Sequence, residues 1–296
     1  MTALCISGGA CSKQRPTARR SAVSFTLPSA ITAWQVPSHH APALISALPL
    51  TRAAGFFIRH LSVGPNHAGA ITDSSHLFMW GSGFTGALGM GDNADSPHPV
   101  EVEFPHSSSC ADVWSQVACG FWHTVAVTEQ GLTYSWGSGE AGQLGHGAKD
   151  CFNRPKQIEA LSSIRMESIS AGMFNSAGIT IDRVLYCWGK GENGQIGTGK
   201  SGPTALSVKL PTKVDIKADP SSKEVCKVTS VVCSDTMTAV LTLAGECVMF
   251  GVGTFVNGEK HDVLEPLWVS ARYAVQCNAM QCTVSCRVPQ ADAPGR

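Results

Sequence analysis

A twelve-residue pattern occurs three times in this chain, as WGSGFTGALGMG from Trp80, WGSGEAGQLGHG from Trp136 and WGKGENGQIGTG from Trp188. All three copies obey the rule W-G-x-G-x-x-G-x-(L/I)-G-x-G. They begin 56 and 52 residues apart, and a period of this length is typical of repeat architectures, in which each unit buries its apolar faces against its neighbours. The recurrence therefore predicts a stack of similar units.

The glycines of each copy also have the G-x-G-x-x-G spacing of a dinucleotide-binding loop. Such a loop needs a helix that opens from it, whereas QLGHGA follows Gly142 and each interior glycine costs a helix about 1 kcal/mol relative to alanine. Three nucleotide loops in one short chain are also implausible. We therefore interpret these residues as a structural signature. It comprises Trp80, Gly81, Gly83, Gly86, Gly89, Gly91, Trp136, Gly137, Gly139, Gly142, Gly145, Gly147, Trp188, Gly189, Gly191, Gly194, Gly197 and Gly199.

The residues around each tryptophan read as strands. HAGAIT, HTVAVT, NSAGIT and MTAVLT contain small and β-branched residues, as in a strand packed on both faces. Proline-flanked runs such as HPVEVEF and RPKQIEAL indicate edge strands. Four short strands per unit of about 50 residues are typical of a propeller blade. The predicted fold is all-β, a partial, open-arc β-propeller of about four blades built from four-stranded antiparallel sheets.

The fourth copy is degenerate. It has Phe250 and Gly251 at the Trp-Gly position and keeps Gly253, but Val256 replaces the third glycine. A polar insertion, KADPSSKE, lengthens the spacing before it.

These repeats resemble those of the regulator of chromosome condensation family, whose consensus is similar to HTVAVTEQGLTYSWGSGEAGQLGHG. The resemblance covers about residues 55–270 and implies the seven-bladed β-propeller of that family. Material for about four blades predicts an open arc, a ring completed by a second chain, or a shortened version of a longer product. Self-association would cover the exposed blade edges.

Composition limits the function classes. The chain has 296 residues, of which 43% are hydrophobic and 15% charged, and its net charge is zero. This balance gives no electrostatic signal for nucleic acid, and no run of 18 apolar residues supports a membrane span. No catalytic, phosphate-binding or zinc pattern is present, so we expect a noncatalytic protein without a cofactor.

The cysteines favour a reduced, intracellular protein, cytoplasmic or nuclear. Cys119, Cys187 and Cys233 fall at apolar strand positions, where a free thiol behaves as a small hydrophobic group. Cys277, Cys282 and Cys286 cluster without a C-x-x-C pair. No metal site is predicted from them.

Three segments differ in composition. Residues 1–54 are basic, and no acidic residue precedes Asp73, so they are predicted to be a disordered tail or an organelle-targeting segment. Residues 55–275 are predicted to form the propeller repeats, and 276–296 an irregular C-terminal tail.

The signature tryptophans have two interpretations. They could form a stacking platform or, as in photoreceptors of similar fold, a chromophore cluster. Their equivalent positions in every copy favour packing between blades, with each indole N–H bonded to a carbonyl. His67, His123 and Asn175 are also equivalent, and we interpret them as structural polar groups near the centre.

The loop GFWHT, residues 120–124, is the best candidate for partner binding. Phe121 and Trp122 stand where the other copies have PN and MF, and aromatic pairs at loop tips are frequent interface anchors. Phe121, Trp122 and His123 are therefore the predicted partner-binding residues, although the pair could equally cover the neighbouring blade.

Function is predicted as a noncatalytic interaction module that binds partner proteins through its blade loops. The family resemblance implies an alternative, guanine-nucleotide exchange on a small GTPase, but the sequence shows no obvious wedge loop for it. A weaker third hypothesis is chromatin association through the basic N-terminal segment.

Overall fold

The computed structural model describes residues 57–105, 113–199, 207–217, 224–254, 260–269, 273–277 and 282–286. Their strands form four antiparallel four-stranded sheets and one two-stranded hairpin. The first sheet contains β1 (Ile58–Val63), β2 (His67–Thr72), β3 (Leu77–Gly81) and β4 (Ser96–Glu101). The second contains β5 (Trp114–Cys119), β6 (His123–Thr128), β7 (Thr133–Gly137) and β8 (Phe152–Gln157).

The third and fourth sheets repeat this order. The third contains β9 (Met166–Ala171), β10 (Asn175–Thr180), β11 (Leu185–Lys190) and β12 (Ser207–Val214), and the fourth contains β13 (Val228–Cys233), β14 (Met237–Thr242), β15 (Cys247–Thr254) and β16 (Lys260–Val269). In every sheet the strands pair in sequence order. This arrangement confirms the predicted all-β partial propeller, and the sheets are called blades 1 to 4 below.

The second strands of blades 1 to 3 are buried along their whole length. Every residue of β2, β6 and β10 is buried, as expected for the small and β-branched strands read from the sequence. Leu77, Val117, Ile179 and Val240 are among the side chains that fill the spaces between blades. Burying an aliphatic side chain of this size contributes about 1.5–3 kcal/mol.

The first strands β1, β5, β9 and β13 lie beside one another and line a shared cavity of about 230 Å³. At the opposite edge of blades 1 and 2, the proline-containing strands β4 and β8 each pair with one neighbour in their sheet. Because proline cannot donate a ladder hydrogen bond, it is tolerated at this outer edge. The sequence prediction of edge strands there is confirmed.

The Trp-Gly corner explains one of the signature glycines. Gly137 ends β7 with φ of 95°, and a Cβ built on it would lie 2.4 Å from the carbonyl oxygen of Trp122. A side chain would therefore be strained by its backbone conformation and would also collide with the adjacent turn.

The C-terminal part differs from the sequence expectation. Strand β17 (Tyr273–Cys277) pairs antiparallel with β18 (Cys282–Cys286). Part of the segment 276–296 predicted to be irregular is thus strand, because the ladder provides partners for its backbone groups. The N-terminal residues 1–54 and most of the KADPSSKE insertion lie outside the described residues.

The thiols at the apolar strand positions are buried. Cys119, Cys187 and Cys233 are at most 3% exposed and are free. Desolvation raises the pKa of Cys119 and of Cys233 to about 12, and it raises the pKa of Cys187 as well. These groups stay as neutral thiols and pack as small apolar side chains.

The described residues contain neither a membrane-spanning helix nor a cluster of metal ligands. No helix among them is long and apolar enough to cross a membrane. In the same part of the chain, no group of three or more histidine, cysteine or acidic side chains could hold a metal ion.

Candidate protein-interaction face

The predicted binding loop is the turn between β5 and β6. Phe121 and Trp122 are both half-buried. The carbonyl of Phe121 accepts a hydrogen bond from Asn66 Nδ2 at 3.1 Å. The carbonyl of Trp122 accepts from Thr85 Oγ1 at 3.2 Å and from the backbone N–H of Ser138 at 2.8 Å. Bonds from blades 1 and 2 therefore hold this turn rigidly.

We call the equivalent turns of the four blades the turn face; the first three are joined by the hydrogen bond from Asn66 to Phe121 and by the contact of the Phe121 and Phe174 rings. The turn face consists of residues 65–66, 121–122, 173–174 and 235–236 together with the adjoining starts of the glycine loops. Each described glycine loop is tied to the turn of its own blade by a backbone hydrogen bond, such as Lys190 N to Phe174 O at 2.8 Å.

Four aromatic side chains from three blades touch in sequence across this face. The ring of Phe84 lies 4.9 Å from that of Trp122, Trp122 lies 4.8 Å from Phe121, and Phe121 lies 6.0 Å from Phe174. The first two pairs are edge-to-face, a favourable geometry for aromatic rings. Phe84 remains 56% exposed. We call Phe84, Trp122, Phe121 and Phe174 the aromatic row.

Charged groups flank the aromatic row at blade 3. Lys190 Nζ lies 5.6 Å from the centre of the Phe174 ring and 2.5 Å from Glu192 Oε1. Glu140 occupies the position in blade 2 that Glu192 occupies in blade 3, and it is exposed. The face thus combines aromatic rings with carboxylates.

His123 lies beneath the row and not on its surface. It is 0% exposed, and its Nε2 is 2.9 Å from Ser176 Oγ, which in turn donates to the carbonyl of Gln143. Nε2 therefore carries the proton, while the buried Nδ1 has no partner within the described part of the chain. Desolvation, with a smaller effect of His67, lowers the pKa of His123 to about 3. The ring is neutral and bridges blades 2 and 3.

His67 repeats this arrangement one blade earlier. Its Nε2 lies 2.9 Å from Thr124 Oγ1, which donates to the carbonyl of Ala87. Burial lowers the pKa of His67 to about 4. Each histidine thus bonds a residue of the next blade. An alignment of the repeat copies does not show this contact, because it compares equivalent residues and not neighbouring ones.

Two of the signature tryptophans, Trp136 and Trp188, are buried between blades. Trp136 Nε1 donates to the carbonyl of Ala87 at 2.9 Å, and Trp188 Nε1 donates to that of Gln143 at 2.8 Å. This is the arrangement expected for packing residues. Trp80 is 2% exposed, but its Nε1 has no hydrogen-bond partner among the residues that the structure describes.

Sequence reasoning identified Phe121 and Trp122 but missed two members of the row. Phe174 aligns with Trp122 in the repeats and could have been found from that alignment. Phe84 aligns with Glu140 and Glu192, so the pattern gives no signal that it reaches across to the next blade. The structure brings all four rings together.

Comparison with known proteins identifies the repeat. The family model described as the regulator of chromosome condensation (RCC1) repeat matches residues 74–127, 130–179 and 184–241. A second model of the same description matches residues 114–143.

Two curated relatives show the extent of the similarity. The ultraviolet-B receptor UVR8 of Arabidopsis thaliana is 34% identical over 205 residues, which are 69% of this chain and 43% of that protein. The E3 ubiquitin-protein ligase HERC2 of Homo sapiens is 37% identical over 160 residues, which are 53% of this chain and 3% of that protein. The chain thus spans less than half the length of either relative.

Solved structures share the fold. Human WBSCR16 superposes with a TM-score of 0.64 at 21% identity, covering 78% of this chain and 59% of the other. Prp20p of Saccharomyces cerevisiae superposes with a TM-score of 0.61 at 20% identity, covering 79% and 56% of the two chains.

Proposed function

The chain belongs to the regulator of chromosome condensation (RCC1) repeat family, and from that premise we propose that it is a noncatalytic module that binds partner proteins through its turn face. The observation that carries this proposal is the aromatic row, in which four rings from three blades touch one another. Aromatic side chains supply much of the binding energy at protein interfaces because they bury a large area with few rotatable bonds.

The rigidity of the turn supports the proposal. The backbone of residues 121–122 is bonded to side chains of blade 1 and to the backbone of blade 2, so little conformational freedom is lost when a partner docks. A surface that is already ordered binds with a smaller entropic penalty than a mobile loop.

The residues beneath the row favour a structural role over chemistry. His67 and His123 are fully buried, and each uses its Nε2 to bond the hydroxyl of the next blade. A general base must reach the proton that it abstracts, and neither ring reaches the surface.

Relatives indicate the kind of partner. Prp20p is a protein with binding properties toward Gsp1p and histones. The likeness of Prp20p to this chain establishes the fold alone, so it does not identify a particular partner. We therefore propose only that the partners of this chain are also proteins and that the chain is intracellular.

Affinity capture with matched variants tests the proposal. The native chain, Phe121→Ala, Trp122→Ala and the control Leu243→Ala are immobilised, and proteins retained from extract are quantified. Leu243 is 67% exposed on blade 4, outside the aromatic row. We expect a defined set of proteins to be retained by the native chain and by Leu243→Ala and to be lost from both aromatic variants. Equal retention by all four would contradict the proposal.

A second candidate is guanine-nucleotide exchange on a small GTPase, which the family membership supports. An exchange factor needs only a higher affinity for the GTPase without nucleotide than with it. The rate of release of labelled nucleotide from a panel of small GTPases, with and without the full chain, tests this activity. Acceleration that disappears in Trp122→Ala would place it on the same face.

A further inference from the structure

The aromatic row already binds one cation of its own chain. Lys190 Nζ lies 5.6 Å from the centre of the Phe174 ring, within the range in which a ring face attracts an ammonium group. The same Nζ contacts Glu192 Oε1 at 2.5 Å. In blade 3, the ammonium group of Lys190 therefore has two partners from its own blade, an aromatic ring and a carboxylate.

Blade 2 has two of these three groups. In the repeat alignment, Trp122 stands where blade 3 has Phe174, and Glu140 stands where it has Glu192. The position of the lysine, however, is occupied by Ser138. Among the described residues Glu140 forms no ion pair, and it is exposed. The ring and the carboxylate are present without a cation.

The charges around Trp122 favour a positively charged ligand. Glu140 and Asp235 are in no ion pair among the described residues, Asp235 is in the turn of blade 4, and Lys190 is compensated by Glu192. Carboxylates that are not matched by cations repel an anionic partner and attract a cationic one. Tryptophan is also the side chain whose ring binds cations most strongly.

We propose that Trp122 and Glu140 bind a lysine or arginine side chain of a partner protein, in the place that Lys190 takes over Phe174, while an adjacent apolar side chain of the partner packs on Phe84 and Phe121. This inference rests on the proposed function of the turn face. It adds the chemistry of the partner, which is a segment with a cation next to an apolar residue.

An arrayed peptide library tests the inference with the full chain as the probe protein. Each ten-residue peptide contains one lysine or arginine beside a leucine, phenylalanine or tryptophan. Two matched sets replace the cation by glutamine or by glutamate. Dissociation constants of the peptides retained are then measured by fluorescence anisotropy. We expect binding that depends on Trp122 in the cationic set, and about tenfold weaker binding in the glutamine set.

Variants of the chain locate the cation. Ser138→Lys places an internal ammonium over Trp122, and we expect it to weaken peptide binding about tenfold, whereas Ser138→Gln, of similar length, changes it less than twofold. Glu140→Gln removes the carboxylate and is expected to weaken binding about threefold. Glu159→Gln, an exposed acidic residue on the single-turn helix Glu159–Leu161, is the control and leaves binding unchanged.

The outcomes separate this inference from the proposed function. If glutamine or glutamate peptides bind as tightly as cationic ones and are lost in Trp122→Ala, the turn face binds partners but the inference is wrong. If no peptide binding and no captured protein depends on Trp122 or Phe121, both are wrong. The inference is also wrong if peptides bind Ser138→Lys and Glu140→Gln as tightly as they bind the native chain. If Ser138→Lys does not fold, the measurement on Glu140→Gln still tests the inference.

Discussion

Two junctions between blades, that of blades 2 and 3 and that of blades 3 and 4, are formed by residues at equivalent repeat positions. They differ in the side chains and the hydrogen bonds at those positions. In the first, the carbonyl of Gln143 accepts from Trp188 Nε1 at 2.8 Å and from Ser176 Oγ at 2.9 Å. In the second, the carbonyl of Gln195 accepts from Thr238 Oγ1 at 2.8 Å, and Phe250 replaces the indole.

The difference shows which part of the repeat tolerates change. Phe250 is 0% exposed and fills the space between blades 3 and 4 without an N–H group. The carbonyl of Gln195 remains satisfied because one donor is enough to avoid an unpaired buried acceptor. Filling of the junction by an aromatic ring is therefore the common requirement, and the indole hydrogen bond is an addition to it.

The largest effect is expected from removal of the ring at the junction of blades 2 and 3. Trp188 is 0% exposed, and Trp188→Ala leaves a cavity and should lower the free energy of unfolding by about 3–5 kcal/mol. Urea denaturation measures this change. Phe250→Ala is the counterpart at the other junction and should cost a comparable amount. A loss below about 1 kcal/mol in both would show that ring volume does not stabilise the junctions.

The polar bridge should make stability depend on pH at the junction of blades 2 and 3. His123 has a pKa near 3 in the folded chain, lowered by burial, against an ordinary value of 6.5. The unfolded state therefore binds more protons between these values, so stability is fully present above pH 6.5 and falls as the pH is lowered. Between pH 7 and pH 5 we expect this histidine to lower the free energy of unfolding by about 2 kcal/mol.

His123→Asn introduces the residue that blade 3 has at this position, Asn175. Unfolding measured at pH 7 and pH 5 should show a smaller pH dependence in the variant than in the native chain, with His67 supplying part of the remainder. An unchanged dependence would mean that His123 is not held neutral by its burial.

Much of the fold could be predicted from the sequence because its periodic features act within one copy of the repeat. The small and β-branched residues of HTVAVT predict β6, and the proline in RPKQIEAL places β8 at an edge. Gly137 marks the corner, because its φ of 95° is accessible to glycine but costly for other residues. Each of these signals lies within a few residues of the element that it specifies.

The candidate site was less predictable because its contacts run between copies. His123 bonds Ser176 of the next blade, and Phe84 contacts Trp122 of the next blade. An alignment places equivalent residues in the same column, but these partners stand in different columns. The stacking of consecutive blades brings them together, so the row could be found only once the positions of the blades were known.

A smaller effect is expected when the first junction is converted to the form of the second. Trp188→Phe keeps an aromatic ring, removes the N–H donor to Gln143, whose carbonyl still accepts from Ser176, and loses only the part of the ring volume by which indole exceeds phenyl. We expect a loss of about 1–2 kcal/mol in the free energy of unfolding. Comparison with Trp188→Ala in the same denaturant series separates ring volume from the hydrogen bond. If the two variants lose equal stability, the hydrogen bond and not the ring is the main contribution.

The smallest effect is expected at Asn175, although this residue is 1% exposed. Its Nδ2 reaches Thr238 Oγ1 only at 3.4 Å, and none of the described residues bonds its Oδ1. Asn175→Ala therefore removes a weak bond together with an unpaired buried acceptor, and Thr238 keeps its bond to Gln195. The two contributions oppose each other, so we expect a loss of no more than about 1 kcal/mol by urea denaturation. The matched variant His123→Ala breaks a 2.9 Å bond and should cost more. Equal losses would show that the two junctions depend on their polar bridges to the same degree, and the distinction between them would then rest on the indole alone.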